Sequence, residues 1–208
     1  MEVAYPTRHI VPISLCVDQQ NMLYDVVGQH ADPEAAPHGV DWKRFLAATI
    51  LRFYRTHSPC LASLAGGGFD RVTTIPLTDS SDPVRFGNPM SAVVSLVPPL
   101  GCLYRPVLLP DAGARLVEPA RPAEHAFAVM PGQRLDGENV LLVEDLYVGG
   151  GRVQSAATAL RRAGAASVVA LVVARLIATR YNDANTRIWA WAQEEPFTFD
   201  HCCLCRPA

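Results

Sequence analysis

The chain has 208 residues, half of them hydrophobic, and its 18 basic and 20 acidic side chains leave a formal net charge of −2. This balance excludes an intrinsically disordered chain, which combines few apolar residues with a large net charge. It also argues against general affinity for nucleic acid, because no excess of positive charge is present to displace the counterions of a phosphate backbone. We therefore expect one packed domain.

The sequence shows no sign of export or membrane insertion. No cationic and apolar leader follows Met1, and the longest apolar run, Val168 to Ala174, is about seven residues where about 20 are needed to span a bilayer. We expect a cytoplasmic protein without membrane partners. In that reducing compartment the six cysteines are better explained as thiols or metal ligands than as disulfides.

The first half of the chain alternates strand-like and helix-like patterns. His9 to Leu15 predicts a short strand, and a helical apolar period begins after Asp41, which could cap the helix. This helix is expected to end before Pro59, because proline lacks the amide hydrogen that a helix interior uses. The β-branched run from Asp70 to Pro76 predicts a buried strand.

Weaker patterns follow in the middle of the chain and near its end. Pro89 to Val97 predicts a short helix, and strands are expected at Leu103 to Leu109 and at Arg115 to Val117. Trp189 and Trp191 alternate in a way that predicts an edge strand, where they could pack in the core or stack on a ligand base.

The last third contains a strand, a loop, a helix and a second strand. Asn139 to Val143 and Ser167 to Val173 are continuous apolar runs, as expected for strands covered on both faces of a parallel sheet. Between them lie three glycines and the alanine-rich segment from Val153 to Ala163. The unit predicts a parallel crossover and therefore an α/β fold with a parallel sheet flanked by helices.

Two acids and a glycine loop lie at the carboxyl end of the first of these strands. Glu144 and Asp145 precede Gly149, Gly150 and Gly151, which lead into the helix. Ligands of open parallel sheets bind beyond such strand ends, and glycine backbone at a helix N-terminus suits an anion. The arrangement predicts a sugar-phosphate site; the alternative is a solvated strand end followed by an ordinary turn.

The segment Val140 to Arg152, VLLVEDLYVGGGR, resembles the phosphoribosyl-pyrophosphate (PRPP) signature of type I phosphoribosyltransferases. Together with GFDRVTTIPL and EHAFAV, it looks like the ComF-like branch of that family. The resemblance implies the Rossmann-like sheet of this family in a single domain over 1–208. Residues 1–66 would form a modified N-terminal or hood region, 68–175 the core, and 176–208 a C-terminal edge with a cysteine-rich tail.

By the same resemblance, Glu144 and Asp145 would be the catalytic acids that hold the ribose hydroxyls, with Mg²⁺ bridging ribose and pyrophosphate. The resemblance also implies a mobile flap at Ala112 to Leu116. The phosphate would be bound by a loop of five residues: Val148, Gly149, Gly150, Gly151 and Arg152. The pyrophosphate loop would consist of four residues with one nearby cation: Leu77, Thr78, Asp79, Ser80 and Arg85.

The C-terminal tail carries a second motif. Cys202 and Cys205 have the C-x-x-C spacing with which two thiolates bind one Zn²⁺. Cys16 and Cys60 could complete a structural zinc site with them, and the alternative is a set of thiols without a metal.

The sequence thus predicts a phosphoribosyltransferase-like protein that binds PRPP and transfers the phosphoribosyl group to a nitrogenous acceptor, with release of pyrophosphate. One alternative is a catalytically degenerate sensor of PRPP or a nucleotide. Another is an accessory protein of DNA uptake that keeps only the scaffold. No direct nucleic-acid contact is expected, and the oligomeric state is left open, with a homodimer as one option.

Overall fold

The computed structural model describes residues 3–17, 23–24, 27, 41–77 and 89–205. Four parallel strands form the main sheet in the order β1-β6-β5-β2, and β3 pairs with β4 in a separate antiparallel ribbon. The strands have these bounds: β1 Ile10–Cys16, β2 Arg71–Thr74, β3 Leu108–Pro110, β4 Phe127–Val129, β5 Asn139–Tyr147 and β6 Ser167–Leu176.

Helices cover both faces of this sheet. Their bounds are α1 Trp42–Ala65, α2 Pro89–Ser95, α3 Pro98–Gly101, α4 Gly151–Arg162 and α5 Asp183–Ala192, with a 3₁₀ turn at Ala114–Leu116. Within the described part of the chain, no helix is both long enough and apolar enough to cross a bilayer.

The central strand β5 shows how the core is divided. Leu141 and Val143 belong to the apolar cluster that includes α1 and α2, whereas Val140 and Leu142 belong to the cluster that includes α4. Successive side chains of a strand point to opposite faces, so a strand covered on both sides must be apolar throughout. The predicted α/β fold with a parallel sheet between helices is confirmed.

Helix α1 is longer than the sequence predicted. Asp41 caps it by accepting a hydrogen bond from the Arg44 amide, as expected, but the helix continues through Pro59 to Ala65. Pro59 is exposed, and so is Arg55, whose carbonyl loses its helical donor and can bind water instead. The buried side chains of His57 and Leu61 pack on either side of the proline along the chain and hold the helix together.

The two strands predicted in the middle of the chain are largely wrong. Only Leu108–Pro110 is a strand, and the partner with which it pairs is β4. Ala114–Leu116 forms a 3₁₀ turn where the sequence predicted a strand from Arg115 to Val117. Leu116 is exposed, so its apolar side chain does not report the face of a sheet.

The edge strand predicted around the tryptophans is also wrong, because this segment is helix α5. Asn182 begins it by accepting a hydrogen bond from the Asn185 amide, a side-chain cap that stabilises a helix start. Trp189 is half-buried and Trp191 is mostly exposed, and α5 buries no residue fully. Core packing of these tryptophans is therefore not what the fold uses.

Candidate functional site

The two acids lie at the carboxyl end of the central strand. Glu144 and Asp145 are both buried, and they come directly after the apolar run of β5. The strand is paired on both sides, with β2 and with β6, so its end is held rigidly between neighbours. Burial distinguishes these acids from the solvated strand end that was the alternative reading of the sequence.

Glu144 is paired with an arginine from the start of α4. Arg152 Nε donates to Glu144 Oε1 at 3.0 Å, and Arg152 Nη2 lies 3.4 Å from the Pro76 carbonyl oxygen. The Glu144 side chain is 5% exposed and that of Arg152 is 33% exposed. The arginine therefore ties the end of β5 to the segment that follows β2.

Burial changes the acidity of Glu144. Desolvation raises the pKa of this carboxyl from 4.5 to about 8, the Arg152 charge opposes the rise, and the neighbouring Asp145 adds to it. At neutral pH Glu144 is consequently protonated in a large fraction of molecules.

Asp145 is oriented by the backbone that follows it. Its Oδ1 accepts a hydrogen bond from the Leu146 amide at 2.6 Å, which fixes the side chain close to its own main chain. Its carboxyl is 7% exposed. The two neighbouring acids therefore have different partners, and they do not form a matched pair that faces one ligand.

The loop after β5 depends on glycine at its turn into α4. Gly150 precedes the first helical residue with a φ of 90°, a left-handed conformation that strongly favours glycine. A Cβ atom there would also lie 2.6 Å from the Tyr147 hydroxyl oxygen. The Tyr147 ring thus folds over the start of the helix, a position that no side chain larger than hydrogen at Gly150 would permit.

A turn at 118–121 packs against this loop. The Gly151 amide donates to the Pro119 carbonyl oxygen at 2.8 Å. A Cβ at Gly151 would clash with the Glu118 carbonyl oxygen, and one at Gly149 would lie 2.7 Å from the Pro119 carbonyl oxygen. One amide of the predicted phosphate loop is therefore already bound by the protein itself.

Other amides at the helix start have no such partner. Gly150 provides no side-chain cap for α4, and within the described residues no protein acceptor is bonded to the amides of Gly150, Arg152 or Val153. Gly150 and Val153 are buried residues. These amides border a cavity of about 160 Å³ between the loop and the 117–119 segment. A buried helix start without a cap usually has some other partner for its donors.

The remaining predicted loop residues are only partly described. Val148 is largely exposed. Leu77 follows Pro76, whose carbonyl contacts Arg152, so it lies beside the candidate site. The other residues assigned to the pyrophosphate lie outside the described part of the chain: Thr78, Asp79, Ser80 and Arg85. The contact on the phosphate loop comes from 118–121, a few residues beyond the segment that was expected to form the flap.

A second cavity, of about 360 Å³, opens beyond β2. It is lined by hydroxyl groups and by Pro76, which also contacts Arg152. Within it, the Thr74 and Tyr104 hydroxyl oxygens lie 3.0 Å apart. The cavity therefore combines an apolar wall with groups that both donate and accept hydrogen bonds, as a small-molecule site requires.

The acids do not fit the Mg²⁺ that the family resemblance implies. Mg²⁺ is bound through ionised carboxylates and keeps several waters. Glu144 is buried against Arg152 with a pKa of about 8, and Asp145 is bonded to the Leu146 amide. We therefore derive no step of a reaction through Mg²⁺.

Four other side chains gather at a distance from the acids. His57 and Cys60 from α1 meet Cys202 and Cys205 from the tail, with all four potential ligand atoms within 4.8 Å of one another. These four residues could hold a metal ion such as zinc. The sequence prediction was right for Cys60, Cys202 and Cys205.

Cys16 does not belong to this cluster. It is fully buried in the apolar core, where burial raises the pKa of its thiol to about 12. The fourth member is His57, which sequence reasoning missed. The available signal was the H-x-x-C spacing of His57 and Cys60, which places both side chains on one face of a helix.

No protein-family model matches the chain, and no curated protein matches it. A solved structure of Trypanosoma cruzi hypoxanthine phosphoribosyl transferase is similar to it, with 12% sequence identity and a TM-score of 0.38. The similarity covers 64% of this chain and 66% of that chain, which is just under two thirds of its length. A TM-score this low carries no argument about family or activity. The α/β fold is established by the sheet and helices themselves, and the ComF-like branch stays a prediction.

Proposed function

We propose that the protein is phosphoribosyltransferase-like and binds a phosphorylated pentose, PRPP or a nucleotide, at the loop between β5 and α4. The observation that carries the proposal is the uncapped start of α4. It presents the amides of Gly150, Arg152 and Val153 at the edge of a cavity, directly after the two buried acids.

The helix start suits the phosphate group. Backbone amides that point out of a helix N-terminus donate hydrogen bonds to an anion, and the helix dipole adds partial positive charge at the same place. The Gly151 amide would join the other three if the Pro119 carbonyl moved aside. Ligand binding and a shift of the 118–121 turn are therefore coupled in this proposal.

Asp145 suits the sugar. An ionised carboxylate accepts hydrogen bonds from hydroxyl groups, and this residue lies one position from Glu144 at the end of the strand. Glu144 would act through Arg152, since their hydrogen bond positions the guanidinium beside Pro76. In this division Asp145 contacts the ligand and Glu144 is a positioning residue.

Transfer would require the ligand to be PRPP. The bond between C1 of the ribose and the pyrophosphate oxygen breaks, the acceptor nitrogen bonds to C1, and the acceptor loses a proton. Such a step depends on positive charge near the departing pyrophosphate. Arg152 is a cation at this strand end, and the hydroxyl-lined cavity beyond β2 offers room for an acceptor.

A binding protein without transferase activity is the second candidate. It is favoured by the engagement of Arg152 with Glu144, which reduces the charge available to pyrophosphate. It is also favoured by the occupied Gly151 amide. Both candidates use the same site, and they differ only in turnover.

Calorimetric titration with PRPP, with and without Mg²⁺, tests the shared part of the proposal. Asp145→Asn should weaken binding, whereas Asp183→Asn, an exposed aspartate of α5, should leave it unchanged. Absence of PRPP and nucleotide binding to the wild type would overturn the proposal. Pyrophosphate release in the presence of a panel of nitrogenous bases or ammonia then separates the enzyme from the binding protein.

A further inference from the structure

The cluster formed by His57, Cys60, Cys202 and Cys205 has the dimensions of a tetrahedral zinc site. Cys202 Sγ lies 3.5 Å from Cys205 Sγ, and Cys205 Sγ lies 3.6 Å from His57 Nδ1. Cys60 Sγ lies 4.0 Å from the same nitrogen. Bonds of about 2.3 Å to sulfur and about 2.05 Å to nitrogen in a tetrahedron require S–S separations of about 3.8 Å and S–N separations of about 3.6 Å.

The same distances argue against a disulfide between the tail cysteines. A disulfide joins two sulfurs at about 2.05 Å, so a separation of 3.5 Å belongs to two thiols or to two thiolates that share a ligand. The six described cysteines are all free. The arrangement is therefore that of a binding site for a thiophilic ion.

His57 is oriented as a metal ligand. Its Nε2 lies 2.9 Å from the Phe199 carbonyl oxygen, which can only accept, so Nε2 carries the proton. That leaves the lone pair on Nδ1, the nitrogen that faces the sulfurs of Cys60 and Cys205. A second ring nitrogen bonded to a backbone carbonyl is the usual way in which proteins fix a ligating histidine.

The tail is folded in a way that suits thiolates. The Cys202 amide donates to Cys205 Sγ at 3.3 Å, and the Leu204 amide donates to Cys202 Sγ at 3.4 Å. Such amide-to-sulfur bonds stabilise negative charge on the sulfur. They come from the C-x-x-C turn itself, so the tail presents two thiolates in a fixed geometry.

We propose that these four residues bind one Zn²⁺ in a closed structural site that fastens the C-terminal tail to helix α1. Three thiolates and one imidazole complete the tetrahedron and leave no position for a substrate, as in structural zinc sites. Cys202 packs in the same apolar cluster as α1, while the start of α4 packs on the other face of the sheet. The zinc site is therefore separate from the proposed ligand site.

The test is zinc analysis of the full-length protein, reconstituted with Zn²⁺ under reducing conditions and dialysed. We expect one zinc per chain in the wild type. Cys205→Ser should lose it, because loss of an outer hydrogen-bond partner alone weakens metal affinity by about ten- to hundredfold and loss of a ligand weakens it at least as much. Cys203→Ser is the matched control, since Cys203 lies between the two tail ligands but outside the cluster. Cys203 and Cys205 are both exposed, so neither serine opens a cavity in the core.

Two further measurements distinguish the outcomes. Cobalt in place of zinc should give the thiolate charge-transfer and visible bands of tetrahedral Co²⁺ in the wild type and in Cys203→Ser, and not in Cys205→Ser. A chelator should lower the melting temperature of the first two proteins only. Wild type without zinc, equal zinc loss in both variants, or a Cys202–Cys205 disulfide by mass spectrometry would each overturn the proposal. PRPP titration of Cys205→Ser reports separately on the site at α4.

Discussion

Replacing Glu144 with glutamine should change how stability depends on pH. The folded protein holds this carboxyl with a pKa of about 8, whereas the free group has a pKa of 4.5. Between these values the folded state binds one proton more than the unfolded state, so the free energy of unfolding falls as pH rises. The slope from this group approaches about 1.4 kcal/mol per pH unit. Glutamine keeps the shape and an oxygen for Arg152, but it does not titrate.

Urea unfolding of the wild type and of Glu144→Gln at intervals between pH 5 and pH 7.5 measures this effect. The difference between the two proteins removes the contributions of the histidines and of other titrating groups. We expect the variant to gain stability relative to the wild type by about 1.4 kcal/mol for each pH unit. Two curves that stay parallel over this range would show that Glu144 is already ionised in the fold and that our account of its burial is incorrect.

Three other substitutions test the fold and the site. Gly151→Ala would place a Cβ against the Glu118 carbonyl, so thermal unfolding should show a loss of about 1–3 kcal/mol, while Gly68→Ala, where a Cβ meets nothing, should show almost none. Pro59→Ala should gain about 1–2 kcal/mol in urea unfolding because it restores a helical hydrogen bond; a loss would mean that the helix requires the proline. Leu142→Ala should lose about 2–5 kcal/mol, and a smaller loss would contradict its place in the closed core.

The unit from β5 to β6 could be predicted because its signals are local. Two continuous apolar runs, glycines between them and an alanine-rich segment each depend on neighbouring residues only. The strand β1 was predicted within one residue for the same reason. Where burial on both faces dictates the sequence, composition is enough.

The errors arose where a longer-range contact decides the structure. Helix α1 passes Pro59 because His57 and Leu61 are buried against the rest of the protein, which the local sequence does not reveal. The tryptophan segment forms a helix that begins at Asn182, and alternation over a few residues misled the prediction. Short apolar patterns of this kind are ambiguous between the two structures.

The candidate site divides in the same way. The position of Glu144 and Asp145 at a strand end could be predicted from the apolar run that precedes them. The pairing of Glu144 with Arg152, and the Pro119 carbonyl on the Gly151 amide, depend on segments that meet only in the folded chain. The same is true of the meeting between α1 and the C-terminal tail in the cysteine cluster.

Amide chemical shifts of the ¹⁵N-labelled protein during titration with PRPP test the central claim most directly. Binding at the loop predicts saturable shifts of the amides of Gly150, Arg152 and Val153, accompanied by a shift of Gly151 as its bond to Pro119 is replaced. Unchanged amides at these four positions at saturating PRPP would contradict the assignment, whether or not the ligand bound elsewhere on the protein.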